Sequence, residues 1–262
     1  MSNAKHYLPC DTSELLFSNS GMPIQNASLK VEKYIRAYND PNKKLKVAEV
    51  YEFNEAEKKL LKALNDSRNA AFTKSETGAT IIGTLGSRMV VGLGSANVFE
   101  TGMIFHKPYG FPYIPGSSIK GALRHFIIRE AFTSKEELAN TNCDFSKAFG
   151  SESSRGALFF YDAYPKNINQ LELDILNPHF ADYYMNSQPP TDTYEPKFIK
   201  FHAVPAKTKF IFHITGETNV KINDLSILDW FKEMLKYSGL GAKTTVGYGW
   251  MQNVEGISNG KR

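Results

Sequence analysis

The segment best equipped for chemistry is Gly239-Leu-Gly-Ala-Lys-Thr-Thr-Val-Gly-Tyr-Gly249. Two Gly-apolar-Gly units flank five residues, so Gly239, Gly241, Gly247 and Gly249 free the chain to adopt positive φ. Successive main-chain N–H groups then point into one concavity that suits an anion. Lys243 adds an ammonium and Thr244 and Thr245 add hydroxyl donors. A phosphodiester backbone matches that surface. The architectural alternative is that Gly239 closes a helix while Gly247 and Gly249 permit close packing; phosphate binding is the favoured reading. A dinucleotide fingerprint is excluded, because that loop follows a strand and opens a helix, whereas here a helix precedes and a strand follows. Lys-Thr-Thr resembles the end of a P-loop without its glycine spacing.

A second segment runs Phe111-Pro-Tyr-Ile-Pro-Gly-Ser-Ser-Ile-Lys-Gly-Ala-Leu-Arg124. Pro115 and Gly116 form a turn, and Ser117, followed by Ser118, is expected to cap a helix. Lys120 would then lie in the first helical turn, against the positive end of the macrodipole, unless an anion sits there. Arg124, one turn further, could grip a phosphate bidentately; pairing of both cations with surface carboxylates is the alternative. Upstream lie Gly92-Leu-Gly94, His106 and Lys107. His106 is the candidate general acid or base, but neither it, Asp162 nor His179 has a partner fixed by spacing. There is no nucleophile elbow and no metal-ligand spacing. The sequence implies no catalytic residue, cofactor or metal.

These segments need elements to hold them. Apolar spacing predicts helices over residues 27–38 and 55–68, the second capped by Asn54 with Glu57 completing a capping box. Their lysines, Lys58, Lys59 and Lys62 among them, are read as a solvated face. Residues 79–85 and 89–93 read as strands, 117–132 as a helix, 156–161 as a short aromatic strand, and 198–204 and 209–215 as strands. Asn223 is expected to cap a helix over 224–237, and residues 246–254 form the last strand. Residues 163–197 hold five prolines and read as a long insertion. The core order β-α-β-β-α-β is the ferredoxin-like, RRM-like arrangement of an α+β fold, preceded by an N-terminal helical region. The expected division is 1–78, an extension packed on the core; 79–254, the core with its insertion; and 255–262, a flexible tail.

Composition adds little. A net charge of +4 is mildly basic, and 42% hydrophobic with 22% charged residues is ordinary for a globular protein. Cys10 and Cys143 lack disulfide or metal spacing. With no leader pattern and no apolar run near 20 residues, the chain reads as cytoplasmic.

Taken together, the segments resemble the RAMP superfamily of CRISPR-associated proteins, and within it a subunit of the type III-B (Cmr) RNA-targeting complex. The residues that carry the likeness are Gly92-Leu-Gly94, Tyr113-Ile-Pro-Gly-Ser-Ser-Ile-Lys-Gly-Ala-Leu-Arg124, Phe160-Tyr-Asp-Ala163, Asp174-Ile-Leu-Asn-Pro-His179, Tyr183-Tyr184 and the 239–249 loop. The resemblance implies a non-catalytic scaffold contacting CRISPR guide RNA near its 3′ end. Neighbouring RAMP subunits, and target RNA, would be its further partners. Its relatives also include metal-independent endoribonucleases, the alternative in which His106 would act.

Overall fold

The computed structural model describes residues 4–6, 26–32, 36–38, 50–74, 77–95, 101–177 and 198–258. Cys10, His179, Tyr183, Tyr184 and most of the expected insertion lie outside the described residues. The elements, in chain order, are β1 (Ala4–His6), α1 (Ala27–Glu32), β2 (Arg36–Tyr38), β3 (Tyr51–Glu52), α2 (Glu55–Thr73) and β4 (Gly78–Leu85). There follow α3 (Gly116–Ala131), α4 (Glu136–Thr141), α5 (Cys143–Phe149), β5 (Leu158–Phe160), β6 (Tyr164–Pro165), β7 (Gln170–Leu176) and β8 (Ile199–Ala203). The chain finishes with β9 (Lys209–Gly216), β10 (Lys221–Ile222), β11 (Leu225–Ser226), α6 (Ile227–Tyr237), a 3₁₀ turn (Thr244–Val246) and β12 (Met251–Ser258).

An antiparallel sheet in the order β12-β4-β9-β5, with β6 also paired to β9, organises the molecule. Period-two alternation sorts its side chains between two faces. Phe212, opposite Ile81, points to the side covered by α6, where it meets Phe231 edge-on at 5.3 Å. Ile119, Leu123, Phe126 and Ile127 of α3 are buried, and Phe126 meets Trp230 of α6. Each such burial contributes roughly 1.5–3 kcal/mol. On the other face, His213 opposes Thr80 and stacks on Phe72 of α2 at 4.1 Å. A second antiparallel sheet has the order β3-β7-β8; the segment after β4 bridges the residue that follows β8, Met89 to Val204, and the 239–249 loop, Val90 to Ala242. The protein is thus an α+β fold. Among the described residues no helix is long and apolar enough to cross a membrane.

The expected capping box is present. Asn54 accepts from the Glu57 amide at 2.9 Å, and Glu57 accepts from the Asn54 amide at 2.8 Å. Glu57 is only 2% exposed and also accepts from the Tyr51 hydroxyl at 2.7 Å, with Lys30 at 3.4 Å. Burial, and then this carboxylate, push the Tyr51 phenol well above its ordinary range. Glu57→Gln removes the charge and one acceptor, leaving donors that were bonded to it. We expect a loss of about 2 kcal/mol in urea unfolding with the midpoint lowered and m unchanged.

Several boundaries differ from expectation. Of the described residues of the first expected helix, 27–32 are helical, whereas Arg36–Tyr38 pairs with Ala4–His6. Helix α2 runs five residues past 68, because its later turns pack on the sheet. Residues 89–93 make bridges rather than a strand. The 163–197 insertion starts later than its prolines suggest: Ala163, Tyr164, Ile168 and Leu171 are buried in the core and 170–176 is β7. Ser226, not Asn223, caps α6 by accepting from the Asp229 amide. Asn223 and Asp224, at φ 49° and 64°, turn the β10–β11 hairpin, a conformation these two residue types tolerate. The last strand begins at Met251 and continues to Ser258, opposite Ala79, so the tail expected from 255 is part of the sheet. Helices α4 and α5 are too short for a periodic signal.

Candidate nucleic-acid interface

The glycine-rich loop leaves α6 at Gly239, whose amide donates back to Met234, and reaches β12 at Trp250. Its two ends are pinned. Leu240 donates to Gly249, Ala242 to Val90 at 2.7 Å, and Gly249 to Arg88 at 2.9 Å. Tyr248 and Val246 donate to Lys243, and Gly247 to Thr244. Gly239, Leu240 and Gly249 are buried, so the architectural role of these glycines is real. The apex differs. Lys243 is left-handed at φ 60°, and the amides of Gly241, Lys243, Thr244 and Thr245 have no acceptor among the described residues. Thr245, Val246 and Gly247 are exposed.

The Lys243 ammonium has no carboxylate partner among the described residues; it lies 5.1 Å from the Phe201 ring and 5.6 Å from the Tyr248 ring. Cation–π contact holds the charge in place without neutralising it. Below it, Asp174 of β7 accepts from the Tyr248 hydroxyl and pairs with Arg88, which also meets Glu172 at 3.4 Å. The Tyr248, backbone and Arg88 contacts hold the Asp174 carboxyl below its ordinary range against the opposing effect of burial, and Asp174 raises Arg88 in turn. This network fastens the loop to the β7–β8 hairpin. Of its members, sequence reading noted Asp174 only as part of a motif, and Arg88, Phe201 and Tyr248 had no local signal as partners.

The helix-start segment folds differently from expectation. Helix α3 begins at Gly116 with Pro115 as N-cap and no side-chain cap, so Ser117 and Ser118 are exposed first-turn residues. Lys120 falls in the second turn, half-buried and without an ion pair among the described residues. The anion at the helix N-terminus comes from the chain itself: Asp162 accepts from the Gly116 amide at 2.8 Å. Arg124 pairs with Glu136 at 2.7 Å, meets Asn140 at 3.2 Å and covers the Phe145 ring. The surface-pairing alternative therefore describes Arg124.

His106 lies beside this segment, stacked on Tyr109 at 4.7 Å and edge-on to Tyr113 and Tyr164. Its Nδ1 is buried without a hydrogen-bond partner among the described residues, and burial lowers its pKa despite Asp162 nearby. Arg68 completes the cluster: it donates to the Asp162 carbonyl at 2.6 Å, lies 4.9 Å from the Tyr164 ring, and is itself lowered by burial. Burial pushes the Tyr164 phenol up to about 12. Among the described residues, no hydrogen bond, ion pair or ring contact links this cluster to the glycine-rich loop. The structure gathers the sequence-predicted residues at two places.

The unit is an antiparallel sheet with two packed helices whose final helix–strand connection is a glycine-rich loop, and the lysine on that loop has no carboxylate partner among the described residues. Residues 82–252, well over half of the chain, match the model of the RAMP superfamily, and the chain belongs to that family. The "CRISPR system Cmr subunit Cmr6" of Pyrococcus furiosus is 32% identical over 62% of this chain and 64% of that protein. The protein of the same name from Saccharolobus solfataricus is 28% identical over 63% of this chain and 54% of that one. The chain thus spans between half and two thirds of the length of these curated relatives. A chain of the cryo-EM structure of the type III-B Cmr-beta bound to cognate target RNA superposes with a TM-score of 0.60, over 77% of this chain and 68% of that one, at 24% identity. The resemblance to a Cmr subunit thus has its counterpart in these two relatives, both named Cmr6.

Proposed function

We propose that this chain is a non-catalytic, cytoplasmic RNA-binding subunit of a type III-B (Cmr) CRISPR effector complex, similar in role to the sixth subunit. It would hold guide RNA near its 3′ end through the backbone, pack against neighbouring RAMP subunits, and adjoin target RNA. The sheet order β12-β4-β9-β5, with α3 and α6 as its crossovers, supports a ferredoxin-like core. One observation carries the RNA reading: at the exposed apex of the 239–249 loop, open amides stand beside a Lys243 ammonium that rings, not carboxylates, hold in place. Amides and an ammonium read phosphates and carry no base information. A scaffold without chemistry is supported by His106, whose imidazole is enclosed by three tyrosines, and by Asp162, whose carboxylate is occupied by the Gly116 amide.

Salt titration of single-stranded RNA binding tests the reading. Each phosphate neutralised contributes a slope of about −0.7 in log K against log salt. Lys243→Ala is expected to weaken binding severalfold and flatten the slope by about that amount, equally for unrelated sequences; Lys120→Ala tests the second place in the same way. Unchanged slopes in both variants would leave only a protein-packing role. Defined cleavage of repeat RNA in EDTA, lost in His106→Ala, would replace the scaffold by the endoribonuclease.

A further inference from the structure

Gly86, directly after β4, does not have a positive φ, so its conformation gives no reason for a glycine. The reason is a ring. A β-carbon at 86 would lie 2.4, 2.6 and 2.7 Å from three atoms of the six-membered ring of Trp250. The indole therefore rests on bare main chain, and the Gly86 amide donates to the Trp250 carbonyl at 3.0 Å, tying the same two residues a second time. The rest of the side chain stays open. Trp250 is 38% exposed, and its Nε1–H has no acceptor among the described residues. Trp230, the other tryptophan of the chain, is half-buried, packs on Phe126 and donates to the Ile222 carbonyl at 2.9 Å.

The ring stands beside the apex of the glycine-rich loop. Ser87, next in the chain to Gly86, donates its hydroxyl to the Gly247 carbonyl, and Val246 on the same apex is 68% exposed. The β8–β9 turn, whose Lys207 amide donates to Leu85, brings a second exposed lysine toward the end of β4. The three segments that meet here, 86–88, 205–208 and 239–250, contain Arg88, Lys207 and Lys243 and no carboxylate. Asp174 answers Arg88, whereas Lys207 and Lys243 have no carboxylate partner among the described residues. Exposed apolar groups, open amides and uncompensated cations together match a ligand that alternates flat apolar planes with anions, which is single-stranded nucleic acid. A duplex offers no free plane, because its bases already stack on one another. We infer that Trp250 is the stacking platform for an unpaired base of the strand whose phosphates the loop holds. The inference rests on the proposed function and adds the form of RNA taken: single-stranded, with one base turned onto the indole. A ring accepts any base, so the backbone reading stays free of sequence preference. Gly86 holds the indole in place beforehand, and less side-chain freedom is lost on binding.

Fluorescence of the full chain tests the platform directly. In Trp230→Phe the remaining indole is Trp250, and a short oligouridylate is expected to quench its emission saturably. An abasic ribose-phosphate oligomer of the same length should bind about fivefold or more weakly and leave the emission unchanged. The duplex of oligouridylate with oligoadenylate should not quench. Trp250→Ala is expected to weaken oligouridylate binding by roughly five- to hundredfold with the salt slope unaltered, since a base contact and no phosphate contact is lost; Trp250→Phe should restore most of it. If oligouridylate binds without quenching, if the duplex quenches equally, or if Trp250→Ala binds as the parent does, the inference fails. A neighbouring subunit lost from the complex in Trp250→Ala, with RNA affinity intact, would assign the rim to a protein contact instead. Should Trp250→Ala not fold, the Trp230→Phe titration decides, because it leaves Trp250 in place. Lys243→Ala keeps the two failures apart. A flattened slope with silent Trp250 retains the loop and ends the platform; quenching with an unchanged slope retains the platform and takes the phosphates away from Lys243.

Discussion

Gly249→Ala is expected to unfold the end of the loop and to cost the protein roughly 3 kcal/mol or more, whereas Gly247→Ala costs about 1 kcal/mol. Both glycines have positive φ, 74° and 92°. They differ in surroundings. A β-carbon on Gly249 would come within 1.9 Å of the Leu240 carbonyl oxygen, in a closure where the Leu240 amide donates to the Gly249 carbonyl and the Gly249 amide donates to the Arg88 carbonyl. Neither backbone can yield without breaking the closure of the loop. At Gly247 nothing among the described residues lies within 4 Å, so only the left-handed conformation is penalised. Chemical denaturation of the two variants checks the contrast, and RNA binding should fail only in Gly249→Ala. Equal losses at the two positions would mean that the loop does not close as described.

The second large effect is acid destabilisation. His213 is 2% exposed, stacked on Phe72, and bonded to Thr80 at 3.1 Å. Burial, helped by the Arg68 guanidinium, lowers its pKa from 6.5 to about 4. The folded form therefore binds its proton less readily than the unfolded chain does. The neutral ring's contribution is complete above pH 6.5 and is lost as pH falls toward 4. Over that window the loss amounts to about 3 kcal/mol. His106, lowered in the same direction, adds to it. Asp174 and Asp229, held below their ordinary range, weaken the fold only in more acid solution. His213→Phe retains the stack on Phe72 and should flatten stability against pH between 6.5 and 4, even though it forfeits the Thr80 bond. An unaltered pH profile in that variant would show that His213 is not buried neutral between sheet and helix.

Much of this was available from local pattern. The Asn54–Glu57 box, the apolar stripe of α3, the strands around Ile81 and Phe212 and the glycine-rich connection all depend on near neighbours in sequence. Backbone hydrogen bonding and side-chain periodicity act over the same short range, so spacing reveals them. Features set by distant residues were misread. Ser117 looks like a cap until Asp162, 45 positions away, is seen to take the Gly116 amide. Arg124 looks free until Glu136 arrives on the next helix. Prolines after 163 suggest an excursion, yet Tyr164 and Leu171 are apolar enough to be drawn into the core.

The sequence by itself determined the α+β order of elements, the place of the glycine-rich loop between the last helix and strand, and the candidate residues for a phosphate contact. Tertiary structure alone decided which of those residues remain open. Lys243 is held by Phe201 and Tyr248, Arg124 is neutralised, and the start of α3 is already occupied. The reason is physical: an amide or charge is available to a ligand only if no group of its own chain satisfies it first. Which groups meet is fixed by packing between segments that sequence spacing does not relate.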